Sequence, residues 1–398
     1  MSSILIPATT RGGFAERDRL LYYPDFEMLY IHIPYCHHKC TYCGFYSVAG
    51  SRDREAYVEA VCRELSMRRT TKPLRTVYFG GGTPSLLSLQ QLERIVDAIR
   101  AYFDTSKLEE VTIEANPENL TAPYLEGLAG LHFFDRLSIG IQSFSDNELR
   151  MLNRVHTSKQ AMEAVHNAAV AGFDNISVDL IMGLPGQTER GWQANLDTLA
   201  SLSDVAAVKH LSCYELTVEE GSILERQLAM GRLKMPDETV VEREYGLLYA
   251  WCETNGFEQY EVSNFCRPGF RSRHNSRYWN RTPYIGIGAS AHSFDGTIRR
   301  WNIADAVRYT SGAATGDIPF ESEVLSERDA YNEYVMTALR TVEGIEKKMV
   351  PEPWRERLAL AAKPYIANGL LTEDEECYKP TRSGLLHADG IAAAMFVL

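Results

Sequence analysis

Three cysteines fall within eight residues, in the run Cys36-His-His-Lys-Cys40-Thr-Tyr-Cys43. Thiolates are soft ligands that suit zinc and iron–sulfur clusters. A cubane cluster usually takes four cysteines. Here Gly44, Phe45, Tyr46 and Ser47 follow Cys43 without supplying a fourth, and Cys62 lies on the next helical segment. Three thiolates can hold three irons of a [4Fe–4S] cluster and leave the last iron open, as a reactive metal site keeps a free position. Two other readings stay open at this point: a structural zinc completed by His37 or His38, and a chance group of free thiols.

The elements that must position this loop follow from the apolar pattern. Short apolar runs predict strands at Met28–Ile33, Thr76–Phe79, Glu110–Glu114, Arg136–Ile141, Asn175–Ile181 and Val208–Tyr214. Helical periodicity falls between them, at Arg54–Arg69, Leu89–Phe103, Ala122–Leu128, Ser158–Ala171 and Glu189–Leu202. A β-α alternation repeated about six times predicts an α/β fold, a partial (β/α)6 barrel with parallel strands and external helices. The strands run into polar or glycine-rich turns (HIPYC, GGGTPS, EANPEN, IQSF, DLIMGLPGQT). Functional loops usually sit at such C-terminal strand ends. The expected organisation is an N-terminal extension over 1–27, the barrel over 28–215, an aromatic-rich extension over 216–325 and a C-terminal α+β, winged-helix-like domain over 326–398. That last region offers helices at Glu327–Leu339 and Pro353–Asn368, then two short strands about a charged turn.

Lys+Arg 41 against Asp+Glu 53 leaves a net charge of −12, which disfavours non-specific nucleic-acid binding for lack of phosphate-neutralising cations. No apolar run is long enough to span a membrane, and Ile4–Pro7 is too short for a signal-peptide core. The expectation is a cytoplasmic protein with at most peripheral membrane contact. Eight cysteines in 398 residues is not disulfide-scaffold density.

The loop YIHIPYCHHKCTYC, with Tyr42 before its last cysteine, and the later turn GGGTPS resemble the radical S-adenosylmethionine (SAM) superfamily. The resemblance is closest to its branch of oxygen-independent coproporphyrinogen III oxidase-like proteins and runs from Tyr30 through the C-terminal region. It implies a [4Fe–4S] cluster on Cys36, Cys40 and Cys43, with SAM beside it. GGGTPS lacks the Gly-Lys-Ser/Thr ending of a phosphate loop; the resemblance assigns Gly81, Gly82 and Thr83 to the SAM amino group. It carries over Glu114, Gln142, Arg154 and Asp179 to the amine, ribose and carboxylate, chemistry that suits them, since a guanidinium forks a carboxylate. It also puts Tyr30, Tyr42, Cys213 and Ile287 around the cofactor.

The chain departs from the oxidases in one place. Their motif continues with a further cysteine where Phe45 stands, and the branch's haem chaperones carry Phe there. Those chaperones also carry HNxxYW, present here as His274-Asn275-Ser276-Arg277-Tyr278-Trp279. The resemblance therefore implies a haem-binding protein that delivers haem to an acceptor of the respiratory chain. His274 is the expected axial ligand, Tyr278 and Trp279 the wall, Arg273 and Arg277 propionate partners and His292 a second candidate ligand. Oxidative decarboxylation of coproporphyrinogen III is the alternative, and no catalytic residue is assigned.

Overall fold

The computed structural model describes residues 26–50, 53–68, 70–205 and 207–397. Ile4–Pro7 and nearly all of the expected 1–27 extension lie outside the described residues. In chain order the strands are β1 (Met28–Ile33), β2 (Tyr35–Cys36), β3 (Val48–Ala49), β4 (Thr76–Gly81), β5 (Glu110–Ala115), β6 (Arg136–Gln142), β7 (Ile176–Met182), β8 (Val208–Glu215), β9 (Glu258–Gln259), β10 (Asn264–Cys266), β11 (Ile285–Ile287), β12 (His292–Phe294), β13 (Ile298–Asn302), β14 (Phe320–Val324), β15 (Ile345–Glu346), β16 (Leu371–Glu373) and β17 (Cys377–Pro380).

Nine of them form one sheet in the order β11-β1-β4-β5-β6-β7-β8-β10-β9. From β1 to β8 the neighbours are parallel, as expected for βα units. Helices Arg54–Met67, Leu89–Tyr102, Ala122–Gly130, Ser158–Val170 and Glu189–Val205 connect them. Two of these helices open with a reciprocal capping box, Ser88 with Gln91 and Thr157 with Gln160, which satisfies amides that would otherwise lack partners. Among the described residues β11 and β9 end the order without pairing to each other, so the barrel is partial.

The sheet extends beyond residue 215. β10 and β9 add antiparallel strands beyond β8, and β11 pairs in parallel with β1, Tyr30 opposite Gly286. Both edges of the sheet thus come from the segment expected to be a separate extension.

Strand side chains alternate between two environments, the period-2 consequence of the pleat. Leu29, Ile31, Val77, Phe79, Val111, Ile113, Leu137, Ile139, Val178 and Leu211 enter one large core with helix residues such as Val61, Leu65, Leu92, Ile99 and Leu196. Each such burial stabilises by about 1.5–3 kcal/mol. The alternate positions are polar: the neighbours Tyr78, Thr112 and Arg136 form one row, and Glu114, Ser138, Ser177 and His210 another. Tyr78 on β4 and Asp179 on β7 feel each other electrostatically across two intervening strands, so the sheet curls around this polar face.

Residues 327–397 form a second core, with Tyr331, Val335, Leu358, Leu371, Tyr378, Ile391 and Met395 at its centre. Helices Glu327–Ala338 and Glu352–Ala367 pack with an antiparallel sheet β15-β17-β16. The two short strands about a charged turn are as expected, and the short helices Arg382–Leu386 and Ala388–Met395 follow them.

Candidate functional site

The cysteine loop leaves the C-terminal end of β1 and is closed at its base by parallel pairing of β2 with β3. Cys36, Cys40 and Cys43 are half-buried free thiols. The loop is pinned from below: the Thr41 amide donates to Leu152 O at 3.2 Å, Asn153 Nδ2 to Lys39 O at 2.8 Å, and the Leu224 amide to Thr41 O at 2.8 Å. Tyr42 packs against the small apolar cluster of Leu152, Ile181, Leu184, Leu216 and Leu224. His37 is tied to Asn119 at 3.2 Å. Among the described residues no three His, Cys, Asp or Glu side chains converge as a single metal ion requires. A tetrahedral zinc needs such convergence; a cubane takes each thiolate at a different iron corner. Burial pushes the Cys43 thiol up to about 11, so metal ligation would have to displace protons.

The glycine turn after β4 lies hard against this loop. A Cβ on Gly82 would stand 2.7 Å from Tyr35 O and from the Pro34 carbonyl carbon, and Gly81 adopts φ +112° with His32 beneath it. Glycine is required at both, for close approach and for the left-handed backbone. Thr83 Oγ1 donates to Cys36 Sγ at 3.6 Å, which joins the turn to the first thiol.

From there a hydrogen-bonded line crosses the strand ends. Glu114 accepts from Tyr78 OH at 2.8 Å and from the Gly81 amide at 3.1 Å, and burial raises its carboxyl. Asn116 donates to Thr83 Oγ1 at 3.2 Å and accepts from Arg154 Nη2 at 2.7 Å. Arg154 also donates to Gly140 O at 2.7 Å and to Cys40 Sγ at 3.5 Å, while its Nε is buried without a partner. Gln142 ends β6 with φ +69° at a register shift, a backbone strain of about 1–3 kcal/mol for a residue with a side chain. Strain of this kind clusters at functional sites. Asp179 accepts from Ser138 Oγ at 3.4 Å, and burial raises its carboxyl too. Tyr30 stacks on Tyr78 with centroids 6.2 Å apart and its hydroxyl meets His32 Nδ1 at 3.1 Å.

Two of the expected residues turn their side chains away from the site. Cys213 and Ile287 point into the helix-facing core, both 0 % exposed. The alternation that sends Ser212 and Gly286 to the polar face turns their neighbours away from it, so only their backbones border the site.

The HNxxYW segment forms the helix Arg273–Trp279 at the opposite, N-terminal ends of β4 and β5. Glu110 caps it, accepting from the Arg273 and His274 amides at 2.8 and 2.9 Å and from Ser272 Oγ at 3.4 Å. His274 is 0 % exposed. Its Nδ1 is hydrogen-bonded to Thr76 Oγ1 at 2.8 Å, its Nε2 to Tyr278 OH at 3.0 Å, and its ring stacks on Tyr78. The expectation of an available axial ligand therefore needs correction: both ring nitrogens are spent inside the fold. Arg277 pairs with Glu27 and Glu109 and Arg273 with Glu109, so the flanking cations are also engaged. Trp279 lies beneath the Arg340 guanidinium of the C-terminal region. His292 differs. It is half-buried and stacked on Trp301 at 5.6 Å, and its ring has no hydrogen-bond partner among the described residues.

Sequence reasoning passed over Asn116, Glu110 and Glu64. Glu64 is fully buried, pairs with Arg68 at 2.8 Å, and receives Asn302 Nδ2, Tyr309 OH and the Gly288 amide. It thereby ties the first barrel helix to the segment after β11. Asn116 stands inside EANPEN and could have been marked there; an isolated Glu at a strand start or mid-helix carries no signal of its own.

Known proteins match this arrangement. The Radical SAM superfamily matches residues 30–199 and the HemN C-terminal domain residues 325–387. A protein named heme chaperone HemW from Lactococcus lactis is 37% identical over 79% of this chain and 82% of its own length. The Bacillus subtilis protein of that name is 34% identical over 92% of this chain and 98% of its own. Among solved structures, the radical SAM enzyme coproporphyrinogen III oxidase (HemN) from Escherichia coli superposes with a TM-score of 0.79 at 22% identity, covering 94% of this chain and 91% of that one. That likeness speaks to fold. The chain belongs to the radical SAM superfamily, whose members are defined by a [4Fe–4S] cluster and SAM, and within it to the family of the proteins named heme chaperone HemW.

Proposed function

We propose that this chain is a haem-trafficking protein that holds a [4Fe–4S] cluster on Cys36, Cys40 and Cys43, binds SAM across the adjoining strand ends, and passes haem to an acceptor protein of the respiratory chain. The observation that carries the reading is the combination of near full-length likeness to proteins named heme chaperone with Phe45 in place of the oxidase's extra cysteine. When bound, cluster and SAM supply the one-electron chemistry, which belongs to the cofactors. The chain's own residues bind and orient. Arg154, already against Cys40, offers its guanidinium to a carboxylate; the Gly81–Thr83 turn and Glu114 suit an ammonium; Gln142 and Asp179 suit ribose hydroxyls. Tyr30 and Tyr42 wall the site, and Cys213 and Ile287 contribute backbone only.

For haem, His292 is the better ligand on geometry, because His274 would have to give up two hydrogen bonds, each worth about 1 kcal/mol. Tyr278 and Trp279 then act with His274 as a brace. A reducing compartment such as the cytoplasm suits the reading, since all eight cysteines are free. Among the described residues no helix is long and apolar enough to cross a membrane, which is consistent with peripheral contact at a membrane-bound acceptor. The test is anaerobic haem titration of cluster-loaded protein beside a coproporphyrinogen III assay with SAM and reductant. Saturable haem binding without porphyrinogen conversion supports the chaperone; full conversion would promote the oxidase reading.

A further inference from the structure

Inside the curl of the sheet, away from the cysteine loop, lies a cation without a counter-charge in contact. Arg136 opens β6 and is 1 % exposed. Its Nε and Nη1, which carry most of the guanidinium's N–H donors, reach no hydrogen-bond acceptor among the described residues. On the neighbouring strand Thr112 is its register partner, fully buried, with an Oγ1 that also lacks a partner. Neighbours at one register position point to the same face, so the two unpaired groups stand side by side.

The nearby acids are committed elsewhere. Glu110 spends its carboxylate on the Ser272–His274 backbone and hydroxyl, and Asp179 accepts from Ser138. Together with their surroundings they hold the Arg136 charge against burial and raise its pKa above the ordinary value, Glu110 most strongly, though among the described residues no ion pair within 4.0 Å joins either acid to it. The charge is thus balanced at a distance, but a buried N–H group without an acceptor costs about 1–3 kcal/mol until one completes it. A fold that keeps such a group has a receptor for an anion that arrives with a ligand.

We infer that Arg136 and Thr112 form a carboxylate-binding floor within the curved sheet, and that the carboxylate it receives is a propionate of bound haem. The second half rests on the haem reading; the first does not. The carboxylate of SAM is the other source of the same chemistry. It is disfavoured by position, because Arg136 begins β6 whereas the Gly140 carbonyl held by Arg154 lies about 13 Å and Gln142 about 20 Å along the strand at 3.3 Å per residue.

The experiment compares wild type with Arg136→Met in three measurements. Ligand-free thermal unfolding is expected to be little changed by the substitution, because the Nε and Nη1 donors it removes have no acceptor to lose. A variant that unfolds well below wild type, or fails to fold, would make the guanidinium structural and overturn the inference. Succinate, compared with chloride at matched ionic strength, is expected to raise the wild-type midpoint and leave the variant's unmoved; equal responses overturn the carboxylate floor. Wild type is expected to prefer haem over haem dimethyl ester by about tenfold or more, the scale of a lost charge-assisted hydrogen bond, with the preference gone in the variant. If the variant keeps that preference, the propionate assignment fails while the haem reading stands. If wild type binds neither porphyrin yet responds to succinate, the haem reading fails while the floor stands. SAM affinity is expected to be unchanged; a tenfold loss with the ester preference intact would assign the carboxylate to SAM and overturn the propionate assignment.

Discussion

The two ends of the parallel strands are built on opposite principles. At the C-terminal ends, polar groups are left with capacity to spare: three half-buried thiols, an Arg154 Nε without a partner, and a residue at φ +69°. At the N-terminal ends, the helix Arg273–Trp279 has Glu110 on its first amides and both His274 nitrogens bonded. Both stretches carry a conspicuous motif. The difference lies at the candidate ligand atoms: the three thiols are free, whereas both His274 nitrogens are bonded, even though Asn275 Oδ1 and Trp279 Nε1 on the same helix, and Arg136 and Thr112 near the same strand ends, lack partners.

Breaking the two ends should therefore give different kinds of failure. The largest effect is expected from Cys36→Ala, Cys40→Ala or Cys43→Ala. Each should abolish cluster assembly, read as loss of bound iron and of the broad absorbance near 400 nm after anaerobic reconstitution, with the thermal midpoint of the unreconstituted chain little changed. Stoichiometric zinc in the reconstituted wild type would refute the cluster. At the other end, Glu110→Ala should lower stability by about 2–4 kcal/mol, because buried amides lose a charged acceptor, while cluster loading survives; chemical denaturation checks it. If cluster loading fell as well, the two ends would not be independent.

Smaller effects sharpen the contrast. Arg154→Ala should weaken SAM by about 1–3 kcal/mol, measured calorimetrically on cluster-loaded protein, and Arg154→Lys should restore only part, since lysine lacks the fork. The pH dependence of stability probes the brace. Burial pushes His274 down from 6.5 to about 3, so the unfolded chain binds a proton that the folded chain refuses in that window. Its contribution is complete above pH 6.5 and is lost as pH falls toward 3, at about 1.4 kcal/mol per unit. His274→Gln should show a shallower decline between pH 6.5 and 5; an identical slope would mean that the ring is not held neutral.

Much of this was legible beforehand, and the reason is locality. The strand starts at Met28, Thr76, Glu110, Arg136 and Val208 fall where the apolar runs place them, because each run is long enough to display its period. The cysteine loop is a single segment, so its spacing suggested a cluster or a zinc site, and the resemblance to radical SAM proteins chose between them. What was not legible depends on partners distant in sequence. β9, β10 and β11 have only two or three residues each, too few for periodicity, and their membership of the main sheet is set by tertiary pairing. Cys213 and Ile287 lie in strands that were anticipated or adjoin one, yet a shift of one residue decides which face a side chain serves. Nothing in HNSRYW says that Thr76 and Glu110, more than 160 residues earlier, meet it.

The central proposal, that this member of the radical SAM superfamily binds haem without displacing its cluster, is tested most directly by one titration. Haem is added anaerobically to cluster-loaded wild type and to the His292→Ala and His274→Ala variants, and the Soret band is followed. The account predicts saturable, equimolar binding to wild type with the cluster absorbance retained. It predicts an unshifted Soret maximum in His274→Ala and a shifted or lost one in His292→Ala. Absence of saturable binding to wild type, or bleaching of the cluster as haem binds, would contradict it.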